Sequence, residues 1–252
     1  MPEQKYYIRT YREQFNTHRF SGFQISFRET DLWIGVNPDS FREEMKDCVL
    51  SRIKELRENL DKYINKEPLF AKSLEPFQPS ENAPSEAKEM ALASAKAGIG
   101  PLAAVAALFA REAGKTILQN FPVKELVIEN GGDIFASLKN NMVLSIFAGD
   151  SPLSEKIGIE IPGETGKLGI CTSAGTVGPS FSYGQADAVM VICKNILVAD
   201  SLATAIGNEV KAPGDIEKAL ELSEKYPEIK SALIICKDKL GIRGEFQLKS
   251  LK

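Results

Sequence analysis

The sequence predicts an α+β fold in which antiparallel sheets are covered by packed helix pairs. Two observations carry this prediction. Strand-like alternation precedes a long amphipathic helix, and a longer run of strands follows two helices rich in small residues. Strands grouped in runs favour antiparallel hairpins over an alternating βαβ sheet. The 252 residues can bury a sizeable core, so we expect one domain over 1–252, with two lobes joined near 66–84 as the alternative.

The first part of the chain predicts a small sheet and then a helix. Apolar residues alternate over 5–12, 20–27 and 32–36. A hairpin turn is expected at 29–31, and Ser40 with Glu43 has capping-box spacing, so a helix should run from there to about Asn65. Its buried stripe should be Val49, Ile53, Leu56, Leu60 and Ile64. The proline-rich stretch 66–84 is expected to be a connection, or a short strand between loops.

The rest of the chain predicts a helix pair and then mostly strands. Helices are expected over 85–97 and from Pro101, a favourable first helical residue, to about 119. The predicted strands are 126–129, 134–138, 142–147, 157–161, 168–172 and 188–193. Further helices should span 199–209 and 214–225. Closing strands at 232–236 and 245–248 should flank a turn at 238–241.

Composition argues against several classes of protein. A net charge of −3 and one histidine, His18, give no basis for nucleic-acid binding or for a histidine-based triad or metal site. The sequence has no pattern typical of a signal peptide or a membrane span, so we expect a cytoplasmic protein. The four cysteines lack metal-binding spacing and should be reduced: Cys48, Cys171, Cys193 and Cys236.

The most informative segment is Val198–Asn208, which reads as a helix of small residues. Asp200 and Thr204 are four residues apart, so their oxygens share one face and could hold a hard cation or a phosphate-bearing ligand. The alternative is structural: Asp200 serves as a helix N-cap while Thr204 bonds back to its own turn. The residues alone leave both interpretations open.

Three glycine-rich corners could cradle a ligand. Glu129–Ile134 contains paired glycines that allow close backbone approach, but it would also suit a tight hairpin. Gly169–Ser180 ends a strand with hydroxyls and N–H groups that could hold phosphate oxygens, or it is a structural loop. Gly98–Pro101 places a helix N-terminus where anions are attracted. Neither a P-loop lysine nor a dinucleotide-binding fingerprint is present.

Together these segments resemble the ApbE superfamily, flavin transferases that move FMN from FAD onto a protein threonine with a divalent metal. The resemblance rests on four segments in family order: Gly98-Ile99-Gly100, Asn130-Gly131-Gly132-Asp133, Thr172-Ser173-Ala174-Gly175 and Ala199-Asp200-Ser201-Leu202-Ala203-Thr204-Ala205. The strings AGIGPLAAVAA, ENGGDI and GICTSAGTVG are similar to a shorter branch of that superfamily. The four segments lie within about 85–210, and the branch resemblance extends over most of the chain.

The resemblance implies a T-fold-like architecture and a ligand site. Asp200 and Thr204 would bind Mg²⁺ with a backbone carbonyl near 98–100, and Asp200 would also be the catalytic residue. A flavin, FAD or FMN, would contact Gly98, Gly100, Gly131, Gly132, Asp133, Thr172, Ser173 and Gly175. A protein substrate and a homo-oligomer are also expected. The chain departs from the family at Pro101, where the transferases have lysine, and near Ala106, where they have aspartate.

Three functions remain open at this stage. The first is a metal-dependent transferase resembling FAD:protein FMN transferase, which binds a flavin or another nucleotide-like phosphate ligand. The second is a sulfur relay in which Cys171, at a strand end rich in N–H donors, acts as a thiolate or persulfide carrier; its alternative role is a buried strand residue. The third is a non-catalytic protein that binds a metabolite.

Overall fold

Two antiparallel sheets and a layer of helices make up the architecture. The computed structural model describes residues 9, 11–12, 15, 18–177 and 182–251. Within them the strands are β1 (Ser21–Phe27), β2 (Thr30–Val36), β3 (Leu126–Asn130), β4 (Asp133–Ser137), β5 (Met142–Ser145), β6 (Ile157–Ile161), β7 (Lys167–Ser173), β8 (Ala188–Cys193), β9 (Ile229–Cys236), β10 (Lys239–Gly244) and β11 (Gln247–Ser250). The helices are α1 (Glu44–Lys66), α2 (Leu69–Lys72), α3 (Ser85–Lys96), α4 (Val105–Asn120), α5 (Ile196–Asn208) and α6 (Ile216–Ser223).

The large sheet has eight strands in the order β1-β2-β3-β4-β7-β8-β9-β10, and the small sheet has the order β11-β6-β5. Every neighbouring pair is antiparallel. Helices lie on one face of the large sheet and the small sheet covers the other. The predicted α+β fold class is therefore confirmed.

Strand β8 shows why the large sheet has a core on both faces. All six of its residues are buried. Because side chains alternate along a strand, Val189 and Val191 pack towards the helices, whereas Met190 and Ile192 pack towards the small sheet. A strand buried on both faces reads as a continuous apolar run, which is how it appears in the sequence.

Most predicted elements are present, but the start of α1 is wrong. Pro38–Ser40 forms a 3-10 turn, and Phe41 is extended before the helix begins at Glu44. No side chain caps this helix, so the capping box predicted for Ser40 and Glu43 does not form. The predicted apolar stripe is confirmed, with four members buried and Ile64 half-buried at its end.

Turn positions account for the other differences. The first hairpin turns at residues 28–29, because Phe27 already pairs with Thr30. The turn predicted at 238–241 is misplaced. Lys239 begins β10 and pairs with Cys236, so the turn consists of residues 237–238. The connection 66–84 contains the single helical turn α2 in place of a strand. Of the strand expected over 5–12, only residues 9, 11 and 12 are described, and 11–12 form a helical turn.

Candidate functional site

Asp200 lies inside α5 and bonds to a different helix. Helix α5 is capped by Asn195, whose side-chain oxygen accepts a hydrogen bond from Leu197 N at 3.0 Å. The proposed N-cap role of Asp200 in its own helix is therefore wrong. Its Oδ2 instead accepts a hydrogen bond at 3.3 Å from the backbone N–H of Ala107, in the first turn of α4. A helix N-terminus favours a carboxylate there.

Thr204, one turn beyond Asp200, is half-buried. Its hydroxyl forms no hydrogen bond with any residue that the structure describes, so the predicted bond back to its own turn is absent there. Ser201 makes that kind of bond instead, donating to Leu197 O at 2.8 Å. The hydroxyl of Thr204 therefore remains available to a ligand.

The Gly-Gly turn, residues 131–132, joins β3 to β4 and sits beside the end of β7. Both glycines have positive φ, +68° and +103°, which a two-residue hairpin turn of this kind requires. Thr172 N donates to Gly132 O at 3.2 Å. Asn130 donates from its side-chain nitrogen to Ala106 O at 2.9 Å, which ties the hairpin to the start of α4. The turn and the strand end therefore form one surface.

Two buried carboxylates meet where these elements converge. Asp133 and Asp200 are 7% and 8% exposed. Neither forms an ion pair with any residue in the described part of the chain. Burial, with Glu129 nearby, raises the pKa of Asp133 to about 7, and Arg9 opposes that rise. Burial and the Asp133 carboxylate raise the pKa of Asp200 well above its usual range. A cation that bound there would displace protons from the pair into solvent.

Cys171 lies opposite Asp133 in the β4–β7 ladder and is fully buried. Its Sγ donates to Ile196 O at 3.5 Å. Burial and the neighbouring Asp133 and Asp200 carboxylates raise its pKa well above the usual range. A thiolate is disfavoured here, which works against the sulfur-relay hypothesis and favours a packing role.

The remaining predicted site residues lie at two corners. Gly98 is exposed, and Gly100 N donates to Leu74 O at 3.0 Å, just before a 3-10 turn, Pro101–Ala104, that packs against α5. At the other corner Thr172 and Ser173 are half-buried. Gly175 is exposed and its N–H donates to Ala186 O at 2.8 Å. The end of the predicted loop, residues 178–180, lies outside the described residues.

A second carboxylate in the same hairpin, Glu129, was not singled out by the sequence. It is 1% exposed, yet it accepts hydrogen bonds from Arg12 Nε at 2.6 Å, Tyr11 OH at 2.7 Å and Gly132 N at 2.9 Å. Burial, the charge of Glu129 and the hydrogen bond to Glu129 raise the pKa of Tyr11, and Arg9 and Arg12 oppose that rise. The available signal was a charged residue at a position where β3 is otherwise apolar, with arginines in the N-terminal stretch to pair with it.

The described residues form neither an acidic, histidine or cysteine metal cluster nor a single membrane-spanning helix. No cluster of three or more His, Cys, Asp or Glu side chains that could hold a metal ion occurs within the described ranges. The predicted set of Mg²⁺ ligands does not require such a cluster, since it combines a carboxylate, a hydroxyl and a carbonyl. Among the same residues no single helix is long and apolar enough to cross a membrane. The pair Ser85–Lys96 and Pro101–Asn120 passes only when joined, across a bend of 104°.

Comparison with known proteins identifies the family. A family model described as AbpE bacteria matches residues 12–239. The chain belongs to this family. Among its relatives, a UPF0280 protein of Methanococcus vannielii is 38% identical over 88% of this chain and 90% of its own length. A UPF0280 protein of Methanocaldococcus jannaschii is 33% identical over the same shares.

Solved structures of ApbE proteins share the fold. The apo flavinyl transferase ApbE of Pseudomonas stutzeri matches with a TM-score of 0.57 and 15% identity, covering 92% of this chain and 94% of that one. The ApbE protein of Thermotoga maritima matches with a TM-score of 0.51 and 13% identity, covering 90% and 97%. The ApbE resemblance read from the four motifs is confirmed, and at this identity the structural likeness concerns the fold alone.

The two departures from the ApbE pattern lie just before α4 and in its first turn. Pro101 is buried at the start of its 3-10 turn, so no cationic side chain extends from that position. Near Ala106 the backbone supplies the polar groups: its carbonyl accepts from Asn130, and the next N–H donates to Asp200. In this AbpE-family chain the start of α4 therefore binds neighbouring side chains through its main chain.

Proposed function

We propose that this chain binds a flavin, FAD or FMN, or a related nucleotide-like phosphate ligand together with Mg²⁺, as a flavin-related transferase of the cytoplasm. The observation that carries the proposal is the buried carboxylate of Asp200, which has no cationic partner among the described residues and lies beside a second carboxylate, Asp133. Burying a charge without a partner is costly, so such a group is retained where a cation or a proton completes it.

The donor set fits a hard cation. Asp200 offers one carboxylate oxygen beyond the one held by Ala107, and the hydroxyl of Thr204 follows one turn later on the same face. A carbonyl of the 98–100 corner would add a third oxygen. Mg²⁺ prefers oxygen ligands and usually keeps positions for water and substrate phosphates, which suits an incomplete protein set. When bound, Mg²⁺ would polarise a phosphoryl oxygen of the ligand.

The chain's own residues would orient the ligand around that position. The Gly-Gly turn has no side chains to obstruct the approach of a phosphate, and Thr172 and Ser173 offer hydroxyls at the adjoining strand end. Asp133, with a pKa near neutrality, would hold or release a proton beside the ligand. Gly98, Gly100 and Gly175 would form the rim. A protein acceptor for the transferred group would approach this rim from solvent.

The test is calorimetric titration of the metal-stripped protein with FAD, with and without Mg²⁺. We expect micromolar affinity that requires Mg²⁺ and is lost in Asp200→Asn, an isosteric change that removes only the charge. Asp150→Asn, at an exposed aspartate, is the matched control and should bind like the unmodified protein. Failure of FAD and FMN to bind under every condition would contradict the proposal. Binding without turnover would favour the non-catalytic metabolite-binding role.

A further inference from the structure

The N-terminal segment, of which residues 9, 11–12, 15 and 18–19 are described, brings an arginine to the Gly-Gly turn. Arg9 Nη1 donates to Asp31 O at 2.7 Å and lies 3.5 Å from Asp31 Oδ2. The other terminal nitrogen, Nη2, would be 3.1 Å from a Cβ placed on Gly131. The guanidinium therefore lies directly against the turn that we expect to line the ligand.

Described residues engage only part of this guanidinium. All of its hydrogen bonds and ion pairs to described residues involve Nη1: Asp31 on one side, and Glu129 Oε1 at 3.9 Å on the other. Glu129 is already satisfied by Arg12, Tyr11 and Gly132 N. Nη2 is left with N–H groups that face the turn, and 23% of the side chain is exposed.

Arg9 also has an electrostatic connection to the site. Among the described residues it is the one cation whose charge acts on Asp133, and it opposes the rise of that residue's pKa. Pro101, buried at the start of the 3-10 turn that packs against α5, offers no charge. A phosphate-bearing ligand at the turn would otherwise meet two buried carboxylates without a cationic side chain of the protein.

We propose that Arg9 binds a phosphate oxygen of the ligand through Nη2 at the Gly-Gly turn, and so determines the preference for phosphorylated ligands. This role of Arg9 rests on the proposed function for the identity of the ligand. The contact between arginine and phosphate does not depend on that identity. Arginine pairs well with phosphate because its nitrogens form charge-assisted hydrogen bonds in a fixed geometry. Its anchoring at Asp31 O holds the guanidinium in place before the ligand arrives.

The experiment is calorimetric titration with Mg²⁺ present, using FAD, riboflavin, which lacks phosphate, and inorganic pyrophosphate as probes. Arg9→Ala should weaken FAD and pyrophosphate binding about tenfold or more while leaving any riboflavin binding unchanged. Arg9→Lys should recover part of the loss because it restores the charge. The matched control is Arg19→Ala, since Arg19 belongs to the same segment, is 21% exposed and pairs with Glu125 away from the turn. Urea unfolding of each variant separates loss of binding from loss of structure.

The outcomes separate this inference from the proposed function. If the unmodified protein binds FAD and Arg9→Ala binds it equally well, the role of Arg9 is contradicted while the proposed function stands. If the unmodified protein binds pyrophosphate but no flavin, the proposed function fails, and the pyrophosphate affinity of Arg9→Ala decides the inference. If neither flavin nor pyrophosphate binds, both are overturned. A loss in Arg9→Ala that is equal for riboflavin and FAD would also contradict a phosphate contact.

Discussion

Two buried carboxylates at either side of one hairpin turn have opposite electrostatic surroundings. Glu129 faces the small-sheet side and is held by an arginine, a tyrosine and a backbone N–H. Asp133, four residues later, faces the helix side and meets a thiol and a second carboxylate, Asp200. The first arrangement is complete without a ligand. The second has no ion-paired cation among the described residues, and this difference distinguishes a structural carboxylate from one that suits a binding site.

The largest expected effect comes from Glu129→Gln. Removing its charge leaves the buried guanidinium of Arg12 without its principal partner, since Arg12 Nη2 lies 2.6 Å from Glu129 Oε2. Breaking a buried pair in this way costs about 3–5 kcal/mol of unfolding free energy. Urea unfolding monitored by circular dichroism measures the loss. A cost below about 1 kcal/mol would mean that Glu129 is not held by its partners, and Glu129 would then not differ from Asp133.

Asp133→Asn should instead stabilise the folded protein at high pH. A raised pKa means that the folded protein holds a proton more tightly than the unfolded chain, so the stability this group contributes at low pH is lost as pH rises from about 4 through about 7. Asparagine does not ionise, so above that window the variant should be more stable than the unmodified protein, by at most about 4 kcal/mol. Unfolding in metal-free buffer at pH 5 and pH 8 measures this.

The exposed Asp150→Asn is the control for this pH dependence and should follow the unmodified protein at both values. If Asp133→Asn were equally destabilised at pH 5 and pH 8, the carboxylate would not carry a raised pKa. Asp133 would then resemble Glu129 in having adequate partners.

Alanine substitutions at the two glycines of the turn between the carboxylates should have unequal costs in stability. Alanine at Gly132 would combine a φ of +103° with a Cβ 3.2 Å from Thr172 O, so we expect a cost of about 1–3 kcal/mol and weaker ligand binding. Alanine at Gly131, with a φ of +68°, should cost about 1 kcal/mol, because that region is less strained for an ordinary residue and the atom 3.1 Å from its Cβ is the end of the flexible Arg9 side chain. Thermal unfolding of both variants tests the order, and equal costs would contradict it.

The smallest effect is expected at Cys171. Burial and two neighbouring carboxylates suppress its thiolate, so iodoacetamide near neutral pH should label half-buried Cys48 while Cys171 stays unmodified in the folded protein. Mass spectrometry of digested protein gives both rates, and unfolding in urea should expose Cys171 as the positive control. Labelling of Cys171 as fast as that of Cys48 would revive the sulfur-relay hypothesis.

The sequence was most informative where pattern and local chemistry agree. Strand β8 and the stripe of α1 follow from apolar spacing alone, whereas the metal-ligand role of Asp200 stays a prediction. The helix cap at Asn195 was missed because Asp200 offered the same capping chemistry five residues later. Strand β10 was missed because Lys239-Leu240-Gly241 has a turn-like composition, and only pairing with β9 makes it a strand.

The electrostatic surroundings of the site could not be predicted from the sequence. They depend on contacts across the chain, such as Glu129 with Arg12 and Asp200 with Ala107, which join residues 117 and 93 positions apart. Local spacing carries no information about such pairs. The single-domain organisation, the homo-oligomer and the ligand contacts of the glycines stay predictions.

The most direct test of the central claim is calorimetric titration of Mg²⁺, with FAD present, into metal-stripped protein at pH 7 in two buffers of different ionisation enthalpy. Raised pKa values at Asp133 and Asp200 mean that cation binding should displace protons. We expect net proton release in the unmodified protein, and loss of both the release and the Mg²⁺ affinity in Asp200→Asn. Mg²⁺ binding without proton release, binding that survives Asp200→Asn, or no binding at all would contradict the account.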